Sequence, residues 1–234
     1  MTNDNRRLHA FYWYATALVA FCSGLILAAH YYPAGFDWHY TVASALASQK
    51  HNPAGSAWFA GTLSLSMCLL WRYVSLLIQA MVTPQHTLAR FAFVLLRIGL
   101  ASGVVLGLER LFIRDLSAWI YKAHEILGLL TFFGLFLGIL CLLIHAMLRN
   151  RIYALPALLV TTPLLTIGAT QFWLYLEQRN LGWVDTSWRE MGIPLWLSFA
   201  FWQWLAIGTL WLGMGFLVIV SNTQNKMQSR KAVS

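Results

Sequence analysis

Residues 30–61, HYYPAGFDWHYTVASALASQKHNPAGSAWFAG, decide how the rest of the chain is read. They form the longest gap between runs of apolar residues, and they hold His30, His39 and His51, an aspartate, two prolines and several aromatics. The stretch is too apolar for a solvated linker. Pro33, Gly35, Pro53 and Gly55 break it too often for a spanning helix. It reads as an ordered cap, centred on residues 30–57, over a helical bundle.

The flanking runs set the class. Of the 234 residues 59% are apolar and 10% charged, against roughly 25% charged in soluble domains. Runs of about 20 apolar residues match the length a helix needs to cross a bilayer. Only helices and closed barrels satisfy the backbone in lipid, and these runs lack the period-two alternation of barrel strands. The expected fold is an all-α integral membrane protein, a single domain over 1–234 with six transmembrane helices. The spans are placed at about 11–29, 58–77, 91–112, 123–147, 155–176 and 194–220, with a polar tail at 222–234.

Charge orients this topology. Arg6, Arg7, Arg72, Arg90, Arg97, Arg149, Arg151, Lys226, Arg230 and Lys231 fall on or near one side, accompanied by Asp4 alone. Asp37, Glu109, Asp115, Glu125, Glu177, Asp185 and Glu190 fall on the other. The positive-inside rule makes the first side cytoplasmic, with both termini there and the cap outside. This distribution explains the net charge of +8 without nucleic acid. A cell (inner) membrane location is expected. Cys22, Cys68 and Cys141 lie inside spans without ligand spacing and read as small apolar side chains.

In the third span GLASGVVLG puts Gly99, Gly103 and Gly107 on one helical face, and the fourth carries Gly134 and Gly138. Small residues at this spacing let helix backbones approach closely in lipid, so a tight third–fourth hairpin is expected.

Ionisable residues inside spans mark function because burying them is expensive. Arg97 lies about two turns inside the third span, on the side away from the glycines, and is expected to face another part of the bundle. Arg72 sits near the inner end of the second span. No acid is expected at their depth, and a lipid phosphate is a suitable bidentate partner. With Trp58 and Phe59 they form the lipid-binding candidates. At the start of the fourth span, YKAHEILG places His124 and Glu125 at the outer interface, level with Asp37 and His39 of the cap. Histidine and carboxylate together can perform general acid–base work, so these four are the catalytic candidates. No HExxH or GxSxG pattern occurs and no metal site is assigned.

His9 and His30 bracket the first span, and His124 and His145 the fourth. Were those helices in contact, the pairs would resemble the ligands of a haem b anchor, an alternative in which the protein transfers electrons. The two levels lie roughly 30 Å apart at 1.5 Å per residue, which puts such ligands at the membrane edges.

Residues 41–74 resemble the first outer loop and second helix of the six-span family of damage-regulated autophagy modulators and GPI-anchor lipid remodelling factors. The matching positions are Ser44 to Ala47, Pro53, Trp58 or Phe59, and Arg72. His124, Gly128, Phe132 and Gly134 resemble that family's fourth-helix pattern, and FWQWLA is similar to its final helix. Ala47 stands where the family has glycine, and Gln203 where it has glutamate. The resemblance implies binding, remodelling or sorting of membrane lipids or lipid-anchored molecules; no cofactor is expected beside the haem b alternative. Whether this is enzymatic is left open by the residues. A structural or accessory role, as a homo-oligomer or beside a membrane partner subunit, is the other alternative.

Overall fold

A computed structural model describes residues 3–33, 35–81, 87–112, 122–178 and 194–231. Among these are α1 (Asn3–His30), the single-turn α2 (Ala43–Leu46), α3 (Ser56–Met81), α4 (Thr87–Phe112), α5 (Ala123–Arg149), α6 (Ala154–Gln178) and α7 (Phe199–Lys231). All but α2 are long and apolar enough to cross a membrane, with apolar segments at Leu8–His30, Ser56–Gln79, Thr87–Phe112, Ala123–Arg149, Ala157–Glu177 and Phe199–Ile219. The six expected spans are therefore present, and the class is that of a multi-pass membrane protein.

Their ends differ from expectation in two places. The last span begins not at 194 but at Phe199, after a 3-10 turn at Leu195–Leu197. Ser198 stops that turn with extended backbone and its hydroxyl accepts the Phe201 amide at 3.3 Å, which is an N-cap. The polar tail is not separate from the span, because the α7 backbone stays helical to Lys231. The expected acids Asp115, Asp185 and Glu190 lie outside the described residues, as do His86 and the last three residues of the tail.

Packing is uneven. Helices α1, α3, α4 and α5 pack extensively in that order, while α6 and α7 pair with each other and touch the first four more lightly. Gly99 and Gly134 bring α4 and α5 backbone to backbone: a Cβ on Gly134 would stand 2.6 Å from the Gly99 nitrogen. The expected hairpin is there, but the glycine face is shared. Each four-residue step overshoots a full turn by about 40°, so Gly99 and Gly107 point about 80° apart. Gly107 consequently meets α3, against Ser64 and the Ala60 carbonyl, and the Ser64 hydroxyl donates to the Val104 carbonyl at 3.0 Å. Two tyrosines, Tyr14 half-buried and Tyr73 fully buried, fasten α7. Tyr14 of α1 donates to the Trp211 carbonyl at 2.9 Å, and Tyr73 of α3 to the Met214 carbonyl at 2.6 Å.

Candidate functional site

The segment joining α1 to α3 is held by its own turns, by its own Asn52 and by side chains at the start of α7. Gly35 supplies a positive φ of 75°, which favours glycine. Asn52, fully buried, is the central fastener. Its amide nitrogen donates to the carbonyls of Ala28 at 2.9 Å and Leu46 at 3.2 Å, and its oxygen accepts the Gly55 amide at 3.1 Å. One side chain thus joins the end of α1, the turn α2 and the start of α3. From the opposite side the start of α7 makes three further bonds. The Ser198 hydroxyl donates to the His39 carbonyl, the Trp204 indole to the Thr41 carbonyl at 2.8 Å, and the Gln203 side-chain oxygen accepts the Ala43 amide at 2.8 Å.

Beneath this segment lies a cavity of about 760 Å³, within the roughly 300–1,000 Å³ usual for ligand sites. Its upper wall is polar, with Tyr40, Ser48 and His51 from the loop and Arg110, His124 and Glu125 from α4 and α5. Its floor is apolar, formed by Phe21, Met67, Leu70, Leu135, Trp211 and Met214. The wall runs from Phe59 to Leu70 on α3 and from His124 to Leu135 on α5. At 1.5 Å per residue that is about 16 Å, close to half of the roughly 30 Å hydrocarbon core.

The polar wall is organised around Arg110. Its Nε donates to His124 Nδ1 at 3.1 Å and lies 3.2 Å from Glu109 Oε2, which is 3.5 Å from the same imidazole nitrogen. Arginine has donors only, so His124 Nδ1 accepts, the ring is neutral and its proton sits on Nε2. Glu109 is buried at 4% exposure, a depth a carboxylate tolerates only with charge beside it. The arrangement can offer a headgroup guanidinium and imidazole donors and, from Glu125, an acceptor.

The other expected site residues are distributed differently. Asp37 and His39 do not join His124 and Glu125. Asp37 accepts from the His39 ring at 2.7 Å and from its amide at 3.0 Å, and both side chains are substantially exposed, with the His39 ring tilted against Trp38. Two residues apart, they satisfy each other locally. Phe59 is buried against Phe21 and lines the cavity, whereas Trp58 is exposed on the outside of the bundle. Arg97 does not face the bundle interior. It is exposed on the outer surface, its guanidinium 5.7 Å from the centre of the Trp71 ring, and Arg72 is exposed too.

The helices that carry the histidine pairs, α1 and α5, do not pack extensively against each other. His9 and His30 are exposed on α1, and His30 rests edge-on against Tyr31. His145 is buried on α5, which is separated from α1 by α3 and α4 on one side and α7 on the other. Among the described residues no three His, Cys, Asp or Glu side chains converge as metal ligands would. Asn52 and Gln203 were not expected to hold the loop. The signal for Gln203 was an uncharged polar residue in an apolar span, which must find a partner; for Asn52 it was the turn-forming Asn-Pro-Ala-Gly run.

Fold and site together define a polytopic helical membrane protein with an amphipathic cavity beneath the loop that joins its first two spans. No family model, curated protein or solved structure matches the chain.

Proposed function

We propose that the protein handles membrane lipids, holding an amphiphile in the cavity beneath the 31–55 segment. The observation that carries this reading is the polarity gradient of that cavity, from Arg110, His124 and Glu125 above to Met67, Leu70 and Leu135 below. An acyl chain fills a space about one leaflet deep, and its headgroup meets the guanidinium and imidazole. The light packing of α6 and α7 on the other helices favours lateral access from the bilayer. The loop between the first two spans is the outer cap, both termini are cytoplasmic and the membrane is the cell (inner) membrane. That orientation is supported by the basic residues near one face. The resemblance to the GPI-anchor lipid remodelling family points the same way. It makes remodelling or sorting of lipids or lipid-anchored molecules the activity served.

The test is photo-cross-linking in membranes with a lipid carrying a diazirine near the end of its acyl chain. The expected adducts fall on peptides containing Met67, Leu70 or Leu135. Cross-links confined to lipid-exposed residues such as Leu65 and Leu137 would favour an accessory subunit without a site of its own.

A further inference from the structure

Toward the end of the bundle away from the cap, α3 and α4 carry Arg72 and Arg97, both exposed, and the Arg97 guanidinium lies over the ring of Trp71, the neighbour of Arg72 on α3. We infer that this seam binds the phosphate of an anionic phospholipid from the leaflet opposite the cavity. The proposal uses none of the cavity residues and stands apart from the function proposed above.

Depth sets which partner Arg97 can reach. Arg97 is ten residues into α4, so its Cα sits about 15 Å from the helix start at 1.5 Å per residue. A helix of 26 residues is about 39 Å long and overhangs a core of about 30 Å by only a few ångströms at each end. Arg97 therefore leaves the backbone inside the hydrocarbon level, where a cation facing lipid is disfavoured, and its side chain tilts toward the helix N-terminus and extends to the headgroups of the near leaflet. Neither Arg72 nor Arg97 forms an ion pair among the described residues. Glu109 and Glu125 stand at the other end of α4 and α5.

Geometry selects the anion. The Arg97 guanidinium lies over the Trp71 ring, 5.7 Å from its centre, a cation–π contact that engages the π face of the ring and uses none of the five N–H donors as a hydrogen bond. A planar fork of donors matches two phosphate oxygens. Arg90, seven residues before Arg97, falls on the same helical face two turns nearer the membrane surface and is also exposed. The seam is thus basic from the surface inward. A lipid with net negative charge matches it, and a zwitterionic headgroup brings a second cation that it would repel.

The experiment is native mass spectrometry of the delipidated, detergent-solubilised protein titrated with phosphatidylglycerol or phosphatidylcholine, in the wild type and in Arg72→Gln/Arg97→Gln. The wild type is expected to prefer phosphatidylglycerol by about tenfold at its first site, and the double variant to lose that preference. Equal binding of both lipids by the wild type, or an unchanged preference in the variant, overturns the inference. Should the double variant not purify, Arg97→Lys keeps the charge without the fork. A several-fold loss of preference then supports phosphate binding, and no change contradicts it. Millimolar inorganic phosphate is expected to leave the bound lipid in place; displacement would mark a soluble-anion site instead.

Discussion

Replacing Asn52 tests whether one side chain holds the loop over the cavity. In the wild type it makes three hydrogen bonds in a fully buried position, two as donor and one as acceptor. Each is worth about 1 kcal/mol net, and more where the former partner stays buried. Asn52→Ala removes all three and is expected to cost about 3 kcal/mol. Asn52→Asp is the sharper variant. It preserves shape and the bond from the Gly55 amide but places a carboxylate oxygen against the Ala28 and Leu46 carbonyls. Its cost should equal or exceed that of alanine, since a buried unpaired charge is dearer than a missing bond. At about 2–4 °C per kcal/mol for a chain of this size, melting followed by tryptophan fluorescence should fall by about 6–12 °C. A fall of less than about 2 °C in both variants would refute the assignment of Asn52 as the fastener. An aspartate variant milder than alanine would show that the two carbonyls are not its partners.

Other changes probe separate parts of the structure. Gly99→Val should drive α4 from α5, because a Cβ there already meets the Leu135 nitrogen at 2.8 Å; loss of a monodisperse peak on size exclusion checks it. Gly128 lines the cavity with nothing within 4 Å of an added Cβ. Gly128→Ala should accordingly raise stability by about 0.5–1 kcal/mol in a thermal melt. Tyr73→Phe deletes the bond to the Met214 carbonyl and should cost about 0.6 kcal/mol, the average for interhelical bonds in lipid, and at most about 1.7 in a thermal melt. Gln203→Leu removes the acceptor of the Ala43 amide. Proteolysis of residues 40–51 should be faster in that variant, and an unchanged rate would count against the contact.

The spans were legible in the sequence because a bilayer imposes both their length and their apolarity. The glycine repeats announced a close helix pair for the same kind of reason, since few other residues permit backbone contact. Less legible was how Gly107 would turn toward Ser64 of α3, because that depends on the drift of a four-residue repeat around the helix. His124, Glu125 and Phe59 could be singled out by type and depth, and they do line one cavity. Asp37 and His39 shared the type and the level but spend their polar groups on each other. Proximity along the chain decided that, and a topology diagram contains no such information. The bonds from Ser198, Gln203 and Trp204 to the loop cross about 160 residues of sequence. Only the tertiary pairing of α7 with the loop creates them. Arg97 was misdirected because helical phase says which side is opposite the glycines, not whether that side meets protein or lipid.

The central claim is that the cavity beneath the 31–55 segment holds an amphiphile. Native mass spectrometry of the protein released from the mildest detergent that extracts it measures this directly, with Gly128→Leu as the matched variant whose added side chain grows into the cavity. Copurification of a discrete lipid mass with the wild type, and its loss from a folded Gly128→Leu, is the result predicted. A bare wild-type mass, or an adduct that survives when Gly128→Leu is combined with Arg72→Gln/Arg97→Gln, would contradict it.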